Sequence, residues 1–155
     1  MANAKIGSRA SYGGAYVQFL DTDGHQLTLN DSGKVFMCKQ SASAKTVNLP
    51  PIAHSKGWSA RFLLHTESSE DFKILAWGLP AAGGVGDGGV TNDGEKVNFI
   101  KVSDAGTRSY NQDGVEFVGG AANRGDIIDI VCDGDFFYAM CLCSDDAHIA
   151  AIDGS

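Results

Sequence analysis

Between residues 125 and 143, two runs rich in β-branched and aromatic residues flank an Asp-Gly pair. This pattern predicts a β-hairpin, because alternate residues of a strand point to opposite faces and because Asp133-Gly134 suits a two-residue type I′ turn. Such a loop places Ile130 opposite Phe137. The face predicted to enter the core then carries Ile128, Ile130, Phe137, Ala139, Cys141 and Cys143.

The opposite face of this hairpin is also apolar. It carries Phe136, Tyr138 and Met140, together with Val131 and Leu142. A strand face that is exposed to water is normally polar, so this composition predicts a second layer of structure or a partner subunit. Phe136, Tyr138 and Met140 are therefore predicted to lie in an oligomer interface or beneath a second layer.

Short apolar runs separated by Asp, Gly and Ser predict further strands along the chain. Residues 16–20, 26–29 and 35–39 predict a meander of three small strands. The alternating segments 58–65 and 72–76, on either side of a polar turn, predict a second hairpin with one inward face. The inward residues of that hairpin are Trp58, Ala60, Phe62, Leu64, Phe72, Ile74 and Ala76.

The remaining segments alternate between strand and loop signals. Strands are predicted at 44–49, 96–102 and 115–118, and loops at 78–94 and 104–113. Residues 144–152 are compatible with one helical turn or with a docked tail. Together these elements predict an all-β fold, an antiparallel β-sandwich or jelly-roll-like single domain over residues 14–155, preceded by an extended arm at residues 1–13.

The chain has 155 residues and a formal net charge of −7, which argues against a nucleic-acid partner. Six Lys or Arg against three Asp or Glu in residues 1–60 give +3, and six against sixteen in residues 61–155 give −10. A basic leading segment suits an arm that docks on an acidic partner. Because no apolar run approaches the roughly 18 residues of a membrane span, and no signal peptide is evident, we expect a soluble protein without a membrane partner.

Two interpretations apply to the cysteines near the C-terminus. Cys141-x-Cys143 with His148, and Cys132 across the hairpin, offers the thiolate and imidazole ligands that zinc prefers. Buried free thiols that pack as small apolar groups are the more common use of such residues. The four His are scattered, and no nucleophile, base or carboxylate pair forms a recognisable catalytic motif. The sequence therefore predicts no metal, no cofactor and no enzymatic activity.

Four segments of the chain carry a family resemblance. They are Thr-Val-Asn-Leu-Pro-Pro-Ile-Ala at 46–53, Gly-Trp-Ser-Ala-Arg-Phe-Leu-Leu at 57–64, Lys-Val-Asn-Phe at 96–99 and Arg-Gly-Asp-Ile-Ile-Asp-Ile-Val-Cys-Asp-Gly-Asp-Phe-Phe-Tyr at 124–138. In this order they resemble the head decoration (cement) proteins of tailed bacteriophages, and more loosely the β modules of head fibres and tail fibres. Cys132 and Phe136-Phe137 depart from that pattern, in which a small polar residue and Asn-Trp are usual.

The resemblance implies a structural protein on the outer capsid surface of the virion, made in the host cytoplasm. It implies that the protein binds the major capsid protein, bridges capsid subunits and forms a homo-oligomer, expected to be a trimer. The residues predicted to dock the arm on the capsid are Lys5 and Arg9 as charged contacts and Tyr12 and Tyr16 as amphipathic anchors.

An alternative function belongs to a different class. A fibre or lectin-like recognition module would bind host surface glycans by stacking sugar rings on aromatic side chains. Trp58, Trp77 and Tyr110 are the candidate stacking platforms in this sequence.

Overall fold

The computed structural model of the chain describes residues 16–76, 97–102 and 106–152. These residues form strands and two short 3-10 turns, Leu29–Asp31 and Ile52–His54. The all-β class predicted from the sequence is confirmed. The strands are β1 (Val17–Leu20), β2 (His25–Gln26), β3 (Lys34–Lys39), β4 (Lys45–Asn48), β5 (Ser59–Thr66), β6 (Phe72–Leu75), β7 (Val97–Val102), β8 (Thr107–Gln112), β9 (Gly114–Phe117), β10 (Ile127–Cys132), β11 (Phe137–Leu142) and β12 (Ile149–Ile152).

The strands form two mixed sheets around a common core. The seven-stranded sheet has the order β1-β3-β5-β10-β11-β7-β8, and the five-stranded sheet has the order β12-β9-β6-β4-β2. Alternate residues of both sheets point inward and join one buried apolar cluster. The inward residues predicted for segments 58–65 and 72–76 are all buried in that cluster, as predicted.

The first six strands alternate between the two sheets, and this makes neighbouring strands parallel. The chain passes from β1 in the larger sheet to β2 in the smaller one and continues this alternation as far as β6. Each strand therefore returns beside the strand two places earlier and runs in the same direction, as in the pairs β1–β3, β3–β5 and β4–β6. The sheets are thus mixed, where the sequence predicts antiparallel pairing.

This alternation also corrects two local predictions. Residues 16–39 do not form a meander, because β1 and β3 belong to one sheet and β2 to the other. The segments predicted as a second hairpin are β5 and β6, which belong to different sheets and form an arch across the core. A hairpin and an arch bury the same alternate residues, so the period-two pattern does not distinguish them.

The predicted hairpin at residues 125–143 forms from β10 and β11 with a longer turn than expected. Cys132 pairs with Phe137 and Ile130 pairs with Ala139, so the loop contains four residues instead of two. The pairing moves by two residues relative to the prediction. Because side chains alternate with a period of two, this shift leaves the membership of both strand faces unchanged.

The side chain of Asp133 closes the longer turn. Its carboxylate accepts hydrogen bonds from the amides of Asp135 and Phe136, each at 2.8 Å. The Asp133 side chain thus satisfies two backbone N–H groups that a two-residue loop would have placed in the turn or in the hydrogen-bond ladder between the strands. Gly134 adopts a φ of +106°, which a residue with a Cβ rarely takes.

Two further segments are clarified by the structure. Residues 104–113, predicted as a loop, contain β8, whose polar side chains are accommodated because it is an edge strand. Residues 144–152 end in β12, which pairs with β9. Of the two predictions for this segment, the docked tail is therefore the one that the structure supports. The predicted arm at 1–13 and loop at 78–94 lie outside the described residues, and the domain boundary at residue 14 stays a prediction.

Buried polar contacts hold together the loops that connect the two sheets. Gln40, just after β3, donates from Nε2 to the carbonyl of Phe117 at 3.1 Å and accepts from the amide of Ser68 at 2.9 Å. Asp71, just before β6, accepts from the amide of Gly119 at 2.8 Å. These bonds satisfy backbone groups where the arch between β5 and β6 meets the chain after β9.

Replacing Gly119 with Ala should destabilise the fold by about 2–4 kcal/mol. A Cβ there would lie 2.4 Å from the carbonyl oxygen of Ser69, so the backbone of the arch would have to shift. Gly120→Ala is the matched control, since its Cβ would meet nothing within 4 Å and only its φ of +72° is unfavourable, at about 1 kcal/mol. Urea unfolding measures both losses; equal losses would contradict the importance of this close approach.

Candidate functional site

The candidate site is the outer face of the seven-stranded sheet, defined as the residues of β1, β3, β5, β10, β11 and β7 that point away from the core. The strand register places six of them in one line across all six strands. Three members of this line are 51, 55 and 58% exposed, namely Phe19, Leu142 and Val102. The complete line, called the apolar row, consists of Phe19, Met37, Leu63, Ile127, Leu142 and Val102.

A second line, the central row, lies two residues further along each strand. Its members are Val17, Val35, Arg61, Asp129, Met140 and Ile100. In the middle of this row, Arg61 and Asp129 form a bidentate ion pair in which both N–O distances are 2.7 Å. The hydrogen bonds that Arg61 donates to the Asp129 carboxylate raise the pKa of the Arg61 guanidinium. Pairing of this kind allows two charges to occupy a line of apolar neighbours.

A third line of outward residues is mixed in character. It contains Ser59, Val131, Tyr138 and Asn98 across β5, β10, β11 and β7. The hydroxyl of Tyr138 donates to the Asp133 carboxylate at 2.8 Å, and this bond raises the pKa of Tyr138. Tyr138 is nevertheless 40% exposed, so its ring extends the apolar surface beyond the central row.

A sheet face of this composition is unusual when it faces water. Sandwich strands with one solvated side normally place polar residues there. The outward positions here hold Val, Phe, Met, Leu and Ile, whose exposure to water costs about 25 cal/mol for each Å² of apolar area. A broad apolar patch of this kind is typical of a surface that another protein covers.

Two of the three predicted interface residues lie on the outer face. Tyr138 and Met140 point outward from β11 and are 40 and 51% exposed. Phe136 precedes β11 and is half-buried in the turn, because the four-residue loop removes it from the strand. The structure therefore places Tyr138 and Met140 together and separates Phe136 from them.

Sequence reasoning missed the part of the outer face that β1, β3, β5 and β7 contribute. Each of these strands has apolar residues on its outward side, such as Phe19 in β1 and Val102 in β7. That signal is visible in the sequence, because these strands carry apolar residues at both odd and even positions and therefore on both faces. Only the strand order reveals that these residues line up with Leu142 into one surface.

Of the four residues predicted to dock the protein on the capsid, the structure describes Tyr16. Lys5, Arg9 and Tyr12 lie outside the described residues, and Tyr16 immediately precedes β1. Tyr16 is 51% exposed, with the ammonium of Lys34 5.2 Å from its ring centre. Since β1 is an edge strand, the described chain begins at one edge of the outer face.

The cysteines considered as metal ligands are core residues. Cys38, Cys132, Cys141 and Cys143 are free and buried, and burial raises the pKa of each thiol. Nδ1 of His148 lies 3.0 Å from the carboxylate of Asp126. Within residues 16–76, 97–102 and 106–152, no group of three His, Cys, Asp or Glu is arranged to hold a metal ion. Core packing is thus favoured over zinc binding.

Trp58 is unsuited to stack a glycan, contrary to its place in the alternative prediction. It is 3% exposed, its Nε1 donates to the carbonyl of Thr28 at 3.1 Å, and its ring meets Phe137 edge-on at 6.3 Å. Its inward position in the alternating segment accounts for this burial. Trp77 lies outside the described residues, whereas Tyr110 is 61% exposed.

In comparisons with protein-family models, with curated proteins and with solved structures, nothing matches this chain. Within the part of the chain that the structure describes, no helix has the length and apolar character needed to cross a membrane. The functional interpretation of the outer face therefore depends on its own geometry.

The five-stranded sheet carries one strongly perturbed carboxyl group on its outward side. Burial of Glu116 in β9, together with the negative charge of Asp71, raises the pKa of Glu116 to about 7. The ammonium of Lys73 lies 3.9 Å from both carboxylates and opposes part of this effect. A carboxyl group that titrates near neutral pH occurs in active sites and in structural ion clusters. In either case it makes the stability of the fold depend on pH.

Replacing Glu116 with Gln should stabilise the protein above pH 7 by up to about 3 kcal/mol. Because the pKa of this acid is raised from 4.5 to about 7 on folding, the folded state binds the proton more tightly, and stability falls as pH rises through this interval. The neutral amide removes that loss. Urea unfolding at pH 4 and pH 8 measures the free energy of unfolding of the variant and the parent. A difference between the two proteins that is the same at both pH values would contradict this prediction.

Proposed function

We propose that this chain is a non-enzymatic structural protein that decorates a tailed-phage capsid and stabilises the shell by bridging capsid subunits. The observation that carries the proposal is the outer face, a broad apolar sheet surface that suits assembly with other proteins. The kind of assembly, a phage capsid, is what the resemblance of residues 46–53, 57–64, 96–99 and 124–138 to decoration proteins implies.

Stabilisation of the shell would follow from mass action. A protein that binds the assembled lattice, and binds separated capsid subunits less well, lowers the free energy of the lattice relative to its parts. The major capsid protein is the proposed partner, and the outer surface of the virion is the proposed location. A basic arm at residues 1–13 with Lys5 and Arg9, attached to a body of net negative charge, would favour contact with acidic capsid surface.

An oligomer is part of this proposal, because several copies acting together would bridge several capsid subunits. The resemblance leads us to expect a homotrimer, as is common among decoration proteins. The exposed apolar area of Tyr138 and Met140 supports an oligomer of some kind without selecting its symmetry.

Glycan recognition is the competing proposal, and the exposed ring of Tyr110 favours it. Burial of Trp58 removes one of its three candidate platforms. The number of copies per virion and a glycan array separate the two functions. Hundreds of copies without a glycan signal support decoration, whereas a few copies at a vertex or tail with a glycan signal support recognition.

Deletion of residues 1–13 should weaken capsid binding by about tenfold or more, since the charged and aromatic contacts of the arm would be lost. The described fold begins after this segment, so far-ultraviolet circular dichroism should be unchanged. Occupancy on purified heads of the phage that encodes the chain gives the measurement.

A charge reversal provides the matched control for this deletion. Lys5→Glu with Arg9→Glu should reproduce much of the loss, while Lys56→Glu with Arg124→Glu changes the net charge equally at exposed positions of the body. Equal occupancy for the deletion and the parent protein would show that the arm does not dock the protein on the capsid.

A further inference from the structure

The outer face is self-complementary about an axis that runs along the strands between β5 and β10. These two strands are the third and fourth of the six that form the face. A two-fold rotation about an axis above this line lays a second sheet on the first. It sets β1 over β7, β3 over β11 and β5 over β10 of the other copy.

This rotation places the apolar row of one copy opposite the apolar row of the other. Because all six members belong to one register line, each finds an apolar residue of the second copy opposite it. Aligned packing of two sheets about 10 Å apart lets such side chains interdigitate, as they do in a sandwich core. The facing pairs are Phe19 with Val102, Met37 with Leu142, and Leu63 with Ile127, each formed twice.

The same rotation makes the central charges complementary. Arg61 and Asp129 lie on either side of the axis, so the guanidinium of each copy lies over the carboxylate of the other. The result is an alternating cluster of two positive and two negative charges in the middle of the interface. A partner of unrelated surface would have to provide a matching pair of opposite charges at the same spacing to avoid leaving this ion pair poorly solvated.

The area of the face is sufficient for a pair of chains. Six strands about 4.8 Å apart and three rows about 7 Å apart, with side-chain margins, give a flat area of about 600 Å². Two copies together would bury about 1,200 Å², which reaches the lower limit of stable and specific protein interfaces.

We propose that the outer face binds the outer face of a second copy of this chain, as an isologous dimer whose two-fold axis passes between β5 and β10. Arg108 and Tyr110 belong to β8, the edge strand next to β7. In the proposed dimer β8 extends past the facing sheet, so both residues lie at the rim of the interface. A dimer of this kind would replace the homotrimer that the resemblance leads us to expect, while docking of the arm on the capsid does not depend on it. If both hold, each dimer carries two arms and thereby links two capsid subunits.

Residues of this chain outside the described ranges are the other candidates to cover the face. Residues 1–15 contain Met1, Ile6 and Tyr12 as their only large apolar or aromatic side chains, and residues 77–96 contain Trp77, Leu79, Val85 and Val90. A segment of the same chain would leave the protein a monomer. Its mass in solution therefore distinguishes this outcome from the dimer.

Sedimentation of the full chain over a range of concentrations is the first test. The dimer predicts a mass of about 33 kDa, twice the 16.3 kDa of one chain. Leu142→Glu, which places a charge in the apolar row at an exposed position, should return the protein to the monomer mass. Ala42→Glu, in the exposed loop between β3 and β4, should leave the dimer unchanged, and circular dichroism should show that both variants are folded.

Cross-linking between two single variants is the second test. In the proposed dimer, position 37 of one copy faces position 142 of the other across sheets about 10 Å apart, which is too far for a disulfide but within the span of a bifunctional thiol reagent of about that length. Mixing Met37→Cys with Leu142→Cys and adding such a reagent should therefore give a covalent dimer, while Ala42→Cys mixed with Leu142→Cys should not.

Several results would overturn the proposal. A monomer at all concentrations would mean that the face is covered by this chain or left exposed. A dimer or trimer whose mass is insensitive to Leu142→Glu would place the contact on another surface. Cross-linking of the mixed variants no greater than the Ala42 control would exclude the two-fold arrangement. Capsid occupancy is measured separately, so a monomer that still occupies the capsid would overturn the dimer and leave decoration of the capsid standing.

Discussion

The fold depends on one constraint: each strand of the larger sheet must bury one face in the core it shares with the smaller sheet. Phe62 and Ile130 meet this requirement on the inward side of neighbouring strands. The pleat then sends every second residue outward regardless of its polarity. Because residues such as Leu63 and Ile127 are apolar as well, burying the core creates a second apolar surface that a single copy leaves partly exposed.

How much of this architecture the sequence predicts can be judged from particular residues. The inward sets around Phe62, Phe72 and Phe137 follow directly from period-two alternation, and so do both faces of the hairpin. Its register does not, because the side chain of Asp133 closes a four-residue turn that resembles a two-residue turn in sequence. The arch between β5 and β6 escapes prediction, since alternation marks which residues are buried but not which sheet receives them.

The candidate surface, too, is predicted by the sequence in one part and not in another. Tyr138 and Met140 are found from the sequence because they lie on the strongest strand signal of the chain. Phe19 and Val102 are not, since they become neighbours of that surface only through a strand order that mixes distant segments. The cysteines pack as apolar groups, as their usual behaviour indicates, and the exposure of Tyr110 becomes visible only in the fold.

The central claim is that the outer face is an assembly surface, and oxidation of Met140 tests it most directly. Met140 is 51% exposed in the single chain, and peroxide converts an accessible Met to its sulfoxide. Initial oxidation rates can be followed by mass spectrometry at low and high protein concentration, with an added methionine-containing peptide as the internal reference. The account predicts that Met140 becomes protected relative to this peptide as concentration rises. Equal relative rates at all concentrations would contradict it.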